Sequence, residues 1–367
     1  MSEFTTPPLS RIRPDVQAMR AYVVQHAQGM VKLDAMENPH RLSTELQQQL
    51  GQRLGAVALN RYPGQRIADL KAALQHHVAL PEGFALMLGN GSDELISLLA
   101  LACAVPAQPG QTRATVLAPE PGFVMYGMSA QLQGLNYVGV PLTADFELDA
   151  PAMLRAMEQH RPAITYLAYP NNPSANLWSD AAMDAVIGAA GAHGGMVVID
   201  EAYQPFAAKS YLGQLAQHRH VLLLRTLSKF GLAGVRLGYL IGPQALIAQI
   251  DKVRPPYNVS VLNAEAALFA LENQDIFEAQ AQDIKAQRAL LLEALGKLPG
   301  VQVFPSQANM ILLRVADAQK TFDDLCARGV LVKNVSKMHP LLANCLRLTV
   351  GTAAENRQLL AALEASL

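Results

Sequence analysis

The sequence has few cysteines, and those it has are scattered. Its 367 residues include three, Cys103, Cys326 and Cys345. An odd number of distant cysteines argues against a disulfide framework and against a cysteine-based metal site. The nine histidines show no paired spacing backed by carboxylates, so we predict no metal centre. We therefore expect a protein of a reducing compartment, the cytoplasm.

Strong charge and long apolar runs are missing as well. Charged residues make up 16% of the chain and the formal net charge is −1, which gives no basic surface for nucleic acid or anionic membrane. No apolar run approaches the roughly 20 residues of a membrane-spanning helix, and the first ten residues lack a signal-peptide pattern. Hydrophobic residues make up 51% of the chain, so it can bury a large core.

Short apolar runs alternate with helical patterns through most of the chain. The runs predict strands near residues 115–118, 135–140, 164–168, 196–199, 221–224 and 237–241. This alternation is typical of an α/β fold with a mostly parallel sheet covered by helices on both faces. We predict a large domain over residues 45–262 with a seven-stranded sheet. A smaller α+β domain would combine residues 1–44 with residues 263–367, which begin in a long helical stretch over 261–298.

Polar side chains follow three of these predicted strands. Asn172 comes after one strand, Asp200 and Tyr203 after the next, and Ser228 and Lys229 after a third. A single Ser-Lys pair is typically a solvated loop. Because the carboxyl ends of parallel strands meet at one edge, where open α/β sheets bind ligands, we expect these loops to lie together.

Two further features suit a phosphorylated ligand with a carbonyl group. Residues 91–93 (Gly-Ser-Asp) lie where a predicted helix begins, and free N–H groups at that position bind anions. Arg236 stands between glycines and is able to clamp a phosphate in a bidentate fork. A buried lysine such as Lys229 is able to form an imine with a carbonyl cofactor.

Three motifs together resemble a known enzyme family. YPNNP at residues 169–173, DEAY at 200–203 and TLSKFGLAGVRLGY at 226–239 resemble, in this order, the pyridoxal-phosphate aminotransferases of the aspartate-aminotransferase fold. Further segments resemble the histidinol-phosphate branch of that family, namely residues 36–39, 60–63, 91–94, 121–126 and 345–351. The resemblance covers essentially the whole chain.

The resemblance implies a role for each residue of the cofactor site. Lys229 would hold pyridoxal 5′-phosphate as an imine and move the substrate's proton, and Asp200 would pair with the pyridine nitrogen. Tyr203 and Asn172 would hydrogen-bond the ring's 3-oxygen, and Phe123 would stack on the ring. The phosphate would be held by Gly91, Ser92, Asp93, Ser228 and Arg236.

The resemblance also implies the substrate-binding residues. Arg347 would bind the substrate's anionic group, with Tyr22 and Lys333 completing the pocket and Tyr62 reaching in from a partner subunit. Asn172 would also contact the substrate. Many relatives have arginine where this chain has Lys333, which exchanges a fork for a point charge. Ordinary surface positions remain the alternative for Tyr22 and Lys333, and a buried turn for Tyr62. The family's asparagine-rich arm reads DAME at residues 34–37, and we assign it no catalytic role.

The implied activity is amino transfer by a homodimer with active sites at the subunit interface. Its substrates would be L-histidinol phosphate and 2-oxoglutarate, converted by a ping-pong route to imidazole-acetol phosphate and glutamate in histidine biosynthesis. An aromatic amino acid aminotransferase or a phosphothreonine decarboxylase of the same fold remains an alternative, because both use a similar arginine. A cofactor-binding regulator would need a DNA-binding module, and the roughly 40 residues before the large domain lack a basic helix-turn-helix pattern.

Overall fold

The computed structural model describes residues 9–19, 25, 27–108 and 110–367. The helices are α1 (Pro14–Ala18), α2 (Thr44–Gly55), α3 (Gln65–His77), α4 (Gly91–Ala102), α5 (Met125–Leu132), α6 (Ala150–His160), α7 (Asp180–Ala192), α8 (Gln244–Ile250), α9 (Val261–Glu272), α10 (Gln274–Leu295), α11 (Ala318–Ala327) and α12 (Ala353–Glu364). Among the described residues, no helix combines the length and apolar composition that crossing a membrane requires.

The strands form one large sheet and two small ones. They are β1 (Val31–Lys32), β2 (Phe84–Gly89), β3 (Thr115–Glu120), β4 (Asn136–Pro141), β5 (Ile164–Ala168), β6 (Met196–Asp200), β7 (Val221–Thr226), β8 (Gly238–Pro243), β9 (Gln302–Val303), β10 (Met310–Arg314), β11 (Val330–Leu331), β12 (Lys333–Asn334) and β13 (Cys345–Thr349).

The large sheet has seven strands in the order β2-β8-β7-β6-β5-β3-β4. The pairs from β7 to β4 are parallel, whereas β8 is antiparallel to both β7 and β2. Strand β2 therefore runs in the same direction as the five parallel strands, and β8 alone is reversed. The prediction of a mostly parallel seven-stranded sheet is confirmed.

Helices cover both faces of this sheet. Along β7, Val221 and Leu223 join the core that contains residues of α3, α6 and α7, while Leu222 and Leu224 join the core that contains residues of α4, α5 and α8. Successive side chains of a strand point to opposite faces. Both faces of β7 are apolar because both are buried, which explains its continuous apolar sequence.

A smaller sheet lies toward the end of the chain. It has the antiparallel order β12-β13-β10-β9, and its core includes residues of α10, α11 and α12. The N-terminal arm joins this part, since β1 pairs with β11 and Leu33 is buried in the same core. The domain limits 44/45 and 262/263 stay a prediction; residue 262 lies inside α9.

Several elements differ from the predicted ones. Strand β2 was not predicted, because a short apolar run is ambiguous between strand and buried helix. The long helical stretch is two helices, α9 and α10, separated at Asn273, whose side chain donates to Phe269 O at 2.8 Å and competes with helix continuation. Helices α1, α8 and α12 and the short strands β1, β11 and β12 were also absent from the predicted elements.

A buried ion pair connects the carboxyl ends of β6 and β7. Arg225 donates from Nε and Nη2 to Glu201 Oε2 at 2.9 and 2.8 Å, and both side chains are buried. Glu201 also accepts hydrogen bonds from Tyr211 N at 2.6 Å and Ser210 Oγ at 3.1 Å. This network fixes the chain directly after Asp200, the last residue of β6.

We expect Arg225→Met to lower the free energy of unfolding by about 3–5 kcal/mol, because it leaves Glu201 buried without its counter-charge. The matched control is Lys209→Met, which breaks the exposed pair between Lys209 and Asp180 and should cost less than about 1 kcal/mol. Urea denaturation followed by circular dichroism measures both. Equal losses of unfolding free energy in the two variants would contradict a larger contribution of the buried ion pair.

Candidate active site

A cavity of about 670 Å³ lies at the carboxyl edge of the large sheet. Its lining combines loops after β5, β6 and β7, the start of α4, the arm and β12. Many predicted site residues line it together, namely Ser92, Asp93, Phe123, Asn172, Asp200, Tyr203, Ser228, Lys229, Arg236 and Lys333. Loops that are far apart in sequence therefore share one cavity.

The reversed strand β8 brings the predicted phosphate ligands together. Gly238 at the start of β8 pairs with Gly89 at the end of β2, so Arg236 lies beside the first turn of α4. A Cβ on Gly238 would lie 2.6 Å from the carbonyl carbon of Gly91. Only glycine permits this close approach of two backbones.

The start of α4 and Arg236 together form an anion-binding arrangement. The first N–H groups of a helix have no intrahelical acceptor, and the helix dipole favours an anion there. Arg236 Nη2 lies 3.3 Å from Asp93 Oδ2, and Nη1 lies 3.5 Å from Ser228 Oγ. Gly91 has φ +77° and Arg236 has φ +54°, so both adopt the left-handed backbone that this turn requires. The arrangement suits a phosphate group.

Lys229 lies in a wide helical turn just beyond β7. Its Nζ donates a hydrogen bond to Ala35 O at 3.1 Å and lies 5.9 Å from the centre of the Tyr203 ring. Burial, together with the nearby cations Arg347 and Arg236, lowers the pKa of Lys229 from 10.5 to about 8. A lysine that is partly neutral near pH 7 is a nucleophile for a carbonyl and an acceptor of protons.

Asp200 is a buried carboxylate at the same edge of the sheet. Burial raises its pKa from 3.8 to about 6, although two hydrogen bonds oppose the shift. Tyr126 OH donates to Oδ2 at 2.7 Å and Ala202 N donates to Oδ1 at 3.0 Å. These two donors fix the carboxylate's orientation, and they hold its charge near neutral pH.

Tyr126 is a site residue that sequence reasoning missed. Its ring stacks on Tyr166, with centroids 4.3 Å apart, and packs edge-on against Phe123 at 5.6 Å. The signal was present, because Tyr126 ends the motif at residues 121–126 and lies three residues after the predicted site residue Phe123, which precedes α5. The pairing of Tyr126 with Asp200 was not apparent, because 74 residues separate the two.

The remaining predicted residues form a chain of contacts from the large sheet to the small one. Asn172 Nδ2 donates to Tyr203 OH at 3.1 Å, and Arg347 Nη1 donates to Asn172 Oδ1 at 2.7 Å. Lys333 pairs with Arg347 across β12 and β13, so both side chains project from the same face of the small sheet. Two cations are thus neighbours on one face of the small sheet; Lys333 lines the cavity, and Arg347 contacts the lining residue Asn172.

Two predicted substrate-binding residues, Tyr62 and Tyr22, are not among the described residues that line the cavity. Tyr62 is 76% exposed, does not line the cavity of its own chain, and stacks on Tyr257 with ring centroids 4.3 Å apart. Its alternative as a buried turn residue is therefore wrong. Tyr22 lies outside the described residues.

The cavity fits pyridoxal phosphate. It offers an anion site at Arg236, a carbonyl-reactive amine at Lys229 and an anionic partner for a protonated ring nitrogen at Asp200, which are the groups that this cofactor requires. Phe123 adds an aromatic side chain to the lining. Among the described residues, no cluster of His, Cys, Asp or Glu side chains could hold a metal ion.

Comparison with known proteins identifies the family. The model of the aminotransferase class I and II family matches residues 28–363, so the chain belongs to this family, as the motifs predicted. It is 68% identical over 356 residues to the histidinol-phosphate aminotransferase of Polaromonas naphthalenivorans, covering 97% of this chain and 96% of the relative. It is 67% identical over 362 residues to the enzyme of the same name from Methylibium petroleiphilum, covering 98% and 96%.

A solved structure agrees with these relatives. The histidinol-phosphate aminotransferase from Sinorhizobium meliloti, in complex with pyridoxal-5′-phosphate, superposes with a TM-score of 0.83 at 26% identity, over 97% of each chain. The predicted fold of the aspartate-aminotransferase type is therefore confirmed.

Burial of Asp200 should reduce the stability of the cofactor-free protein. Because the folded state raises the pKa of Asp200 from 3.8 to about 6, the folded protein holds this proton more tightly, and stability falls as pH rises from about 4 to about 6. We expect cofactor-free Asp200→Asn protein to be more stable than wild type by about 1–3 kcal/mol at pH 7 and to lose this advantage near pH 4.

Denaturation of the cofactor-free proteins at both pH values measures this difference. The control is Asp145→Asn, at an exposed position, which should change stability by less than about 0.5 kcal/mol. Amino transfer by Asp200→Asn should fall at least about a hundredfold, since the ring nitrogen loses its anionic partner. Full activity in this variant would refute the role of Asp200.

Proposed function

We propose that the protein transfers the amino group of L-histidinol phosphate to 2-oxoglutarate, with pyridoxal phosphate held by Lys229. The observation that carries the proposal is the pairing of Arg347 and Lys333 beside a cavity lined by Lys229 and Asp200. Two adjacent cations suit the dianionic phosphate ester of histidinol phosphate better than the single carboxylate of an amino acid. The names of the relatives at 67–68% identity support the same substrate.

The protein's own groups handle the proton and the charges. When bound, pyridoxal phosphate supplies the sink for the electrons released at the substrate carbon that carries the amine. Lys229 Nζ, with its pKa lowered to about 8, accepts the proton from that carbon. Asp200, whose pKa of about 6 leaves it mostly anionic at pH 7, holds a protonated ring nitrogen. Asn172 and Tyr203, bonded to each other, orient the ring oxygen.

The substrate's phosphate would be bound by a rigid arginine and an adjustable lysine. Arg347 donates from Nη1 to Asn172 Oδ1 and from Nη2 to Asp34 O at 2.7 and 2.8 Å, which fixes the plane of the guanidinium. Lys333 lies opposite on β12 and adds a point charge that follows the phosphate oxygens. Lys333 thus retains the positive charge of the family's arginine but not its ability to donate two parallel hydrogen bonds to a phosphate.

We also propose a cytoplasmic homodimer in which Tyr62 reaches the partner's cavity. Tyr62 and Leu59 are 76% and 70% exposed, and Tyr257, against which Tyr62 stacks, is 56% exposed. Exposed aromatic and aliphatic side chains grouped on one surface are typical of protein interfaces. The aromatic stack would hold Tyr62 in an outward orientation.

The decisive experiment is a half-reaction with L-histidinol phosphate as the only amine. We expect the absorbance of the lysine-linked cofactor to fall with one equivalent per site, and Lys229→Ala to abolish this change. Lys252→Ala, a surface lysine beyond α8, is the matched control and should react normally. Phenylalanine and phosphothreonine should react with at least about a hundredfold lower kcat/KM, since neither presents both an imidazole and a phosphate ester. Faster reaction of phenylalanine, or release of carbon dioxide from phosphothreonine, would favour the alternatives.

A mixing experiment tests the shared site. Tyr62→Phe alone should lose at least about tenfold in activity, and Lys229→Ala should be inactive. Dissociating and reassociating the two variants at equal concentration should restore about a quarter of wild-type activity, because half of the dimers are hybrids and each hybrid has one intact site. A mixture no more active than the average of its parents would contradict the proposal, as would full activity in a strictly monomeric preparation.

A further inference from the structure

Two side-chain oxygens in the cavity lining accept no hydrogen bond from any residue that the structure describes. They are Asp34 Oδ1 and Gln25 Oε1, and both atoms are buried. The nearest described cation to Asp34 Oδ1 is Lys32 Nζ at 3.4 Å, which is an ion-pair distance. A buried acceptor without a donor is costly. The N-terminal arm therefore presents acceptors to whatever donor enters the cavity.

Asp34 lies beside two of the cations that the proposed substrate would contact. Its backbone oxygen accepts from Arg347 Nη2 at 2.8 Å, and the next carbonyl, Ala35 O, accepts from Lys229 Nζ at 3.1 Å. Under the proposed function, the substrate's amine approaches Lys229 and its phosphate approaches Arg347. The substrate's third substituent, the imidazolylmethyl group, then lies within reach of the residue between these contacts.

Each of the other acidic groups of the cavity accepts a hydrogen bond from a described residue. Asp200 accepts from Tyr126, Asp93 pairs with Arg236, and Glu37, 47% exposed, pairs with Lys32 at 2.5 Å. The Asp34 side chain is only 13% exposed, and its described partner is Lys32, at an ion-pair distance of 3.4 Å and shared with Glu37. A ligand ring that carries an N–H group would supply a hydrogen-bond donor to the Asp34 carboxylate.

We propose that Asp34 is the specificity-determining residue for the substrate's ring, its carboxylate accepting a hydrogen bond from an imidazole N–H, with Gln25 Oε1 as a second acceptor. The inference rests on the proposed function and deepens it. A phenyl ring of similar size offers no N–H and would leave the Asp34 oxygen buried without a donor. Sites built to hydrogen-bond a substrate group discriminate strongly against an analogue that lacks it.

The test compares two substrates that differ only in the ring. L-Histidinol phosphate and L-phenylalaninol phosphate share the amine and the phosphate ester, so the ratio of their kcat/KM values isolates ring recognition. We expect Asp34→Asn to lower this ratio at least about tenfold, because hydrogen bonds to a charged acceptor are the stronger ones. Gln25→Met should lower it less. Glu37→Gln is the matched control; it removes a carboxylate of the same arm that is already paired, and the ratio should stay within about twofold of wild type.

A binding measurement gives a readout independent of turnover. Calorimetry with 3-(imidazol-4-yl)propyl phosphate and 3-phenylpropyl phosphate, which lack the amine, should show a preference for the imidazole compound in the cofactor-loaded wild type. Asp34→Asn should lose at least about tenfold of that preference. Circular dichroism and cofactor absorbance establish that each variant is folded and loaded.

The outcomes distinguish failure of the imidazole subsite from failure of the proposed function. An unchanged ratio in Asp34→Asn overturns the subsite while leaving the proposed function intact. An equal fall in kcat/KM for both substrates also overturns the subsite, because Asp34 would then only hold the arm in place. If wild type converts its cofactor with glutamate but not with histidinol phosphate, the proposed function fails, and the imidazole subsite fails with it.

Discussion

The site depends on burying two opposite charges at one edge of the sheet. The same loss of water lowers the pKa of Lys229 to about 8 and raises that of Asp200 to about 6, so each group moves toward neutrality. Both shifts oppose the stability of the cofactor-free protein, and both suit the proposed binding of a cofactor that needs a reactive amine and an anionic partner. The surrounding strands, apolar on both faces, provide enough buried surface to tolerate them.

The reversed strand β8 positions Arg236 at the proposed phosphate site. Because β8 runs against its neighbours, it begins at the edge where the parallel strands end, and Arg236 enters beside the first turn of α4. The close contact of Gly238 with Gly91 leaves no room for a side chain. The glycines around Arg236 thus follow from packing between backbones as well as from access for a ligand.

The N-terminal arm links the two sheets across the cavity. Met36 donates its N–H to Thr349 Oγ1 at 2.9 Å and accepts from Asn309 Nδ2 at 2.9 Å, while Ala35 O accepts from Lys229. The arm is thereby hydrogen-bonded to the small sheet on one side and to Lys229 on the other. A segment in contact with both parts would also contact a substrate bound between them.

The sequence by itself determined most of the alternating strands and helices of the large domain, the class of sheet and the loops that carry Lys229, Asp200 and Asn172, because periodicity and strand-end motifs are local properties. It did not determine the six-residue strand β2 or the division between α9 and α10, where a short apolar run or one asparagine decides the local structure. Only the tertiary structure brought Tyr126 to Asp200 and Asp34 to Arg347, across 74 and 313 residues of chain. Contacts over such separations arise from packing of whole elements, and no local pattern in the sequence records them.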